Sequence, residues 1–397
     1  MDDSVIDRVR RVIDTASVSQ AVFAGRVGLT PDKLSKSLKG VRRFTSLDLA
    51  LIAEAGGTTV DWILTGREPL RPAVAARTRS APAPDRVTLE AVARRFTDAY
   101  EVLELLGRSR ELPEVPGARE DLPRFVDQGD RLATEALARL RRAGLGSPAE
   151  QSSDMLVTAL EKCFGVDIAT EELPRGADGL AWQTGRFRLV LLRPTRTWTR
   201  QRFTLAHEIG HILARDAQDL LAEAHLAPGR QKDLTEIRAN VFASHLLMPA
   251  DEVEERFRAA ADGGGALSDE AFQEMVVQFK VSPSALAARL HQLGLVGPVE
   301  RNRYRRMSTE SCHMLTGSWT EYQRQESWAC AKRFPVRVAS ELFEAYRQGD
   351  TTLRPLAALL DVEVDRLHDL LDPAGPTGPA SAVGLEELEE GDLVFQP

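Results

Sequence analysis

His207-Glu208-Ile209-Gly210-His211 constrains this chain more than any other segment. Residues four apart share one face of a helix, so a helix through this stretch lets His207 and His211 grip a single metal ion. Glu208 follows the first of them directly and can reach a water at that ion as a general base. The surrounding Phe203, Leu205, Ile209, Ile212 and Leu213 are apolar. A helix with apolar residues set this densely is buried, which keeps a metal partly dry. The fold must therefore bring a second element across a buried helix to complete the site.

A catalytic zinc centre takes three protein ligands and keeps a fourth position open. Glu236, His225 and His245 are the candidates for the third. A histidine six residues beyond His211 would define one class of site, but that position is Ala217, which excludes it. A second helix is expected from Glu236 to Met248. On it Glu236 and Asn240 share a face, and the small Ala239 and Ala243 permit close approach to the first helix. Glu236 is the preferred ligand, with Asn240 as a hydrogen-bonding support beside it. His245 is read as packed beside Leu246 and Leu247, and His225 as a surface residue in a loop ending at Pro228-Gly229. His225 and Tyr304 are also guesses for a donor to a developing oxyanion. Two imidazoles and a carboxylate suit Zn2+, with Mn2+ as the alternative.

Arg202-Phe203-Thr204-Leu205-Ala206 precedes the motif. Glu236-x-x-Ala239-Asn240-x-Phe242-Ala243 and Leu246-Leu247-Met248-Pro249 follow it. Together with Leu173 to Gly179 and Val281 to Leu295, these segments resemble the ImmA/IrrE metallopeptidases over roughly residues 150 to 300. The resemblance implies a zincin-like domain in which His207, His211 and Glu236 bind the metal and Glu208 is the catalytic base. Arg238 stands where many relatives carry Glu or Gln, and is read as a surface variation.

The first 43 residues carry nine basic side chains against five acidic ones, although the whole chain has a net charge of −8. That overall charge argues against indiscriminate coating of nucleic acid. Ser19 can cap a helix from Gln20, Gly28 can end it, and Thr30 with Pro31 can start the next, which stops at Gly40. This grammar, with Phe44-Thr45-Ser46 and the ending Val60 to Gly66, resembles the Cro/C1-type (XRE) helix-turn-helix domain. The resemblance implies five helices and a second helix laid in the major groove of double-stranded DNA at an operator. Lys33, Lys36 and Ser37 would then face bases or phosphates, Gln20 would anchor a phosphate, and Arg42 and Arg43 would contact phosphates. One such module binds weakly, so a homodimer is the expected binding form.

The expected fold class is mainly α with a small β-sheet (α+β). The expected order is the helix-turn-helix domain (1–68), a Pro-rich linker (69–87), a helical connector with a solvated face (88–145), the peptidase domain (146–300), a helical C-terminal region (301–372) and a flexible acidic tail (373–397). A hairpin is expected from Gly179–Trp182 and Phe187–Leu192, as the edge to which an extended substrate adds. Three scattered cysteines indicate thiols and not a disulfide framework. No run of about 18 apolar residues predicts a membrane span, and the acidic N-terminus lacks a signal-peptide core, so the cytoplasm is expected. The combined reading is a DNA-binding transcriptional regulator with a metal-dependent endopeptidase domain. It would cleave a repressor- or antitoxin-like protein, or itself, in response to stress. The alternative is a metal-containing regulator or sensor that binds DNA without proteolysis.

Overall fold

The computed structural model describes residues 4–371 apart from positions 17, 57, 59, 67–85, 119–120, 175–176, 217–229 and 262–265. His225, the tail 373–397 and nearly all of the expected linker thus lie outside the described residues. The chain divides into two compact units, residues 1–72 and 73–397.

The first unit holds five helices: α1 (Val5–Thr15), α2 (Gln20–Arg26), α3 (Pro31–Leu38), α4 (Ser46–Ala55) and α5 (Val60–Thr65). Local chemistry starts them. Ser4 with Asp7 and Thr45 with Asp48 form reciprocal capping boxes, while Ser19 and Thr30 accept from the backbone N–H groups of Val22 and Lys33. Gly28 ends the α2 turn at φ 67°, a conformation that glycine adopts without strain. Val9, Phe23, Leu34, Ile52 and Ile63 meet in a core of their own. Arg8 is buried too, donating from Nε to Ile63 O and from Nη2 to Leu64 O, both at 2.7 Å. It satisfies carbonyls in α5 that lack a helical partner.

The second unit is mostly helical around one small sheet. It begins with α6 (Arg86–Leu105), α7 (Phe125–Arg142) and α8 (Ser153–Phe164). Then come β1 (Asp167–Thr170), β2 (Gly179–Gln183), β3 (Arg188–Leu192), α9 (Trp198–Ala214) and α10 (Arg230–Leu247). The helices α11 (Ala250–Ala260), α12 (Asp269–Phe279), α13 (Pro283–Gln292), α14 (Pro298–Tyr304) and α15 (Thr309–Leu315) follow. The series closes with α16 (Trp319–Cys330), α17 (Val336–Arg347), α18 (Arg354–Leu360) and α19 (Val364–Leu371). Among the described residues no helix is long and apolar enough to cross a membrane.

The sheet order is β1-β3-β2, with β1 parallel and β2 antiparallel to β3. The hairpin is where the sequence places it; β1 was not foreseen. Its outer edge is closed by Arg333, which exchanges two backbone hydrogen bonds with Thr170 at 2.8 and 3.1 Å. That leaves β2 at the opposite edge, along α9: Gln183 Nε2 donates to Ile212 O at 3.1 Å.

One expectation about organisation is revised. α7 keeps a solvated face with Asp130, Arg131, Arg141 and Arg142 exposed, but it is no spacer, because Leu132, Ala133, Ala136, Leu137 and Leu140 on the opposite face enter the main core beside Phe242 and Leu246 of α10. A Cβ on Gly129 would lie 2.6 Å from Arg238 O, so the two backbones touch. The C-terminal helices are joined to the same unit. Gln201 of α9 donates to Ala329 O at 2.9 Å, and Arg337 grips Asp167 through both Nε (3.1 Å) and Nη2 (2.7 Å).

Candidate metal centre

α9 is buried along almost its whole length, as its apolar flanks predict. The second helix, α10, crosses it at a close-contact point. A Cβ on Gly210 would sit 2.9 Å from Phe242 Cδ1 and 3.4 Å from Ala239 Cα. Glycine on one helix and alanine on the other therefore let α10 deliver Glu236 to the two histidines. His207 Nε2 and His211 Nε2 are 3.1 Å apart. Glu236 Oε2 lies 3.5 Å from the first and Oε1 3.5 Å from the second.

Two nitrogens each about 2.0–2.1 Å from a tetrahedral zinc stand about 3.3–3.4 Å apart. The observed spacing fits that requirement with little movement. Charge agrees with geometry. Burial alone would lower the basicity of His211, yet Asp216 and Glu236 outweigh it and push the imidazolium pKa up to about 10. Burial likewise opposes ionisation of Glu236, but the two imidazoles hold its carboxyl well below the usual range. His211 and Glu236 thus both sit where positive charge is favoured.

Glu208 is 1% exposed and points toward the start of β2. A Cβ on Gly179 would lie 3.0 Å from Glu208 Oε1 and 2.6 Å from Thr204 Cγ2, so a side chain there would displace the base.

The sequence reading missed a chain of groups behind His211. Nδ1 of His211 bonds Asp216 Oδ2 at 3.1 Å. Asp216 is ion-paired in turn with Arg238. Arg238 donates to Gln128 Oε1 of α7 at 2.7 Å and lies over the Phe125 ring. Arg238 is 5% exposed, so its reading as a surface variation is corrected. A carboxylate accepting from one imidazole nitrogen leaves the other as the free donor for a metal. An acidic residue five positions past His211 was the one available signal.

The remaining candidates fall elsewhere. Asn240 is half-buried on α10, one turn beyond Glu236. His245 is packed as expected and is no ligand: its Nδ1 meets Asp130 Oδ1 and its Nε2 meets Arg289 Nη1, both at 2.6 Å. Burial and then the Arg289 charge lower its pKa. The guess that Tyr304 donates to an oxyanion is overturned, because its hydroxyl donates to Leu267 O at 2.5 Å within the core.

In the first unit Gln20, Lys33, Lys36 and Arg43 are exposed, with Lys36 2.8 Å from Asp32. Arg42 is half-buried, 2.8 Å from Asp48, and donates to Ser37 Oγ at 3.0 Å. Ser37 is 0% exposed, which corrects its outward placement. It follows Leu34 by three residues and precedes Leu38, and all three share the inner face of α3.

Comparison with known proteins bears on the same region. Residues 161–291 match the Peptidase M78 model, the IrrE N-terminal-like domain. The radiation response metalloprotease IrrE of Deinococcus radiodurans is 32% identical over 167 residues, covering 41% of this chain and 47% of that protein. The protein of the same name from Deinococcus deserti is 40% identical over 141 residues, covering 34% and 47%. The chain thus spans about half the length of these curated relatives. The matched segment contains His207, Glu208, His211 and Glu236, so the candidate centre lies in a region similar to metalloproteases.

Proposed function

We propose that this chain is a metal-dependent endopeptidase joined to a DNA-binding unit. It acts in the cytoplasm on a repressor- or antitoxin-like protein, or on itself, in a stress response. The observation that carries this reading is the convergence of His207, His211 and Glu236 beside a buried Glu208, in a segment similar to radiation response metalloproteases. The donor set favours Zn2+, with Mn2+ as the alternative.

A divalent cation held by those three residues supplies the positive charge that makes water acidic and polarises a peptide carbonyl. Glu208 takes the proton from the attacking water and returns it to the leaving nitrogen. Its burial beside Gly179 limits its positions and keeps bulk water from competing. Asp216 holds the His211 ring in orientation. β3 is central and β1 already pairs outward with Arg333, which favours β2, the strand beside Glu208, as the edge to which an extended substrate adds.

The exposed Gln20, Lys33, Lys36 and Arg43 support a DNA-facing role for α2 and α3, with a homodimer reading two half-sites of an operator. The regulator that binds DNA without cutting is separated by one variant. Glu208→Gln should keep its metal content, measured by elemental analysis, yet lose cleavage by about 10²–10⁴-fold. The readout is new N-termini, mapped by mass spectrometry after co-expression with the products of neighbouring genes. Equal cleavage by the variant with metal bound would remove Glu208 as the base.

A further inference from the structure

One face of α9 carries Thr204, His207, Glu208 and His211; one turn nearer its start the same face presents Arg200. Beside Arg200 lies a cavity of about 200 Å³, walled by Asp178, Arg193, Thr195, Thr197 and Thr204. It adjoins the general base, because a Cβ on Gly179, the residue after Asp178, would meet both Thr204 and Glu208. A peptide laid along β2 with its scissile bond at Glu208 therefore brings a neighbouring side chain to this opening. The volume suits one side chain of medium size.

The lining decides which kind. Asp178 is already ion-paired with Arg200, whose side chain is two-thirds exposed. Arg193 is anchored: its Nη2 donates to Leu173 O at 2.6 Å, its N–H to Asp178 O at 2.9 Å, and its carbonyl accepts from Gln201 at 2.8 Å. Two guanidiniums thus face one carboxylate, among threonine hydroxyls. The start of α9 adds to the positive side, since Thr197 makes no side-chain cap there and a helix N-terminus carries partial positive charge. A Lys or Arg side chain entering would meet a wall of net positive charge, and an apolar one would strip water from its charged groups.

We propose that this cavity is the substrate subsite next to the scissile bond and that it selects a residue with a carboxylate side chain. The inference rests on the proteolytic reading above.

The test is digestion of a proteome-derived peptide library by the purified full-length chain loaded with Zn2+ or Mn2+, with cleavage sites mapped by mass spectrometry. Asp or Glu should be enriched at one position adjoining the cut. Arg200→Glu should lower kcat/KM for such peptides about tenfold, Arg200→Gln should fall between, and 0.5 M salt (about a 4 Å screening length) should weaken the preference. The readout is the ratio of rates on acidic and Ala peptides, which should fall about tenfold in Arg200→Glu, whereas a displaced Glu208 would slow both alike and leave the ratio unchanged. Cleavage without acidic enrichment, or with enrichment of Arg, Lys or apolar residues, overturns the subsite alone. A parent chain that cuts nothing removes the proteolytic reading and the subsite with it.

Discussion

His211 is held at both ring nitrogens, by Asp216 on one side and by the ligand cluster on the other. A carboxylate in that place fixes the tautomer and raises the basicity of the metal-facing nitrogen, and its loss typically costs 10–100-fold in metal affinity. Asp216→Asn keeps an acceptor for His211 but removes the charge that Arg238 neutralises. Metal affinity should fall by about 10–100-fold, measured by competition with a chromophoric chelator. An unchanged affinity would deny Asp216 this role. The ligands themselves were legible because their spacing is a helix period, and the small residues of α10 announced a close crossing. Arg238 was not. It lies two positions after Glu236, on the far side of α10, and only the fold covers that side with Phe125 and Gln128. Ser37 was misread for the same kind of reason: one step around α3 separates the inner face from the outer.

At the scale of elements, α10 is pressed between α7 and α9, with a glycine at each crossing: Gly129 and Gly210. Magnitudes decide what substitution does. Gly210→Ala gains about 1 kcal/mol of helix propensity, against about 1–3 kcal/mol for an overfilled contact with Phe242. The balance is a cost of about 0–2 kcal/mol, so alanine should be neutral to moderately destabilising. Gly210→Val adds two more methyl groups at the same point and surrenders part of the propensity gain. It must push α10 outward and carry Glu236 away from the histidines. Valine should therefore lose most bound metal by elemental analysis and melt clearly lower, while alanine keeps near-stoichiometric metal. Full metal occupancy in the valine variant would show that the crossing does not position Glu236. β1 was illegible at this scale because four residues carry too little periodicity. Its edge partner Arg333 comes from the C-terminal region, which the sequence marked only as helical.

For the molecule as a whole, the matched segment is smaller than the structure that supports it. The expected peptidase domain, residues 146–300, omits α7, α16 and α17. Without α7 the core loses Leu132, Leu137 and Leu140, at about 2 kcal/mol each. That loss of roughly 6 kcal/mol compares with a total stability of about 5–15 kcal/mol for a domain. It also leaves Arg238 without Gln128 and Asp167 without Arg337, both buried charges deprived of a partner. A fragment of residues 146–300 should thus lack a cooperative thermal transition and bind no stoichiometric metal. A fragment of residues 73–397 keeps every one of those contacts, and the first unit draws on a separate core. It should melt cooperatively, hold one metal ion and cleave as the full chain does, while losing retention on DNA containing the operator. Cooperative melting of the shorter fragment would mean that α7 and the C-terminal helices decorate the catalytic core. Its failure alongside a folded longer fragment would make them part of that core, and would place the boundary of the catalytic unit well outside the segment that sequence similarity outlines.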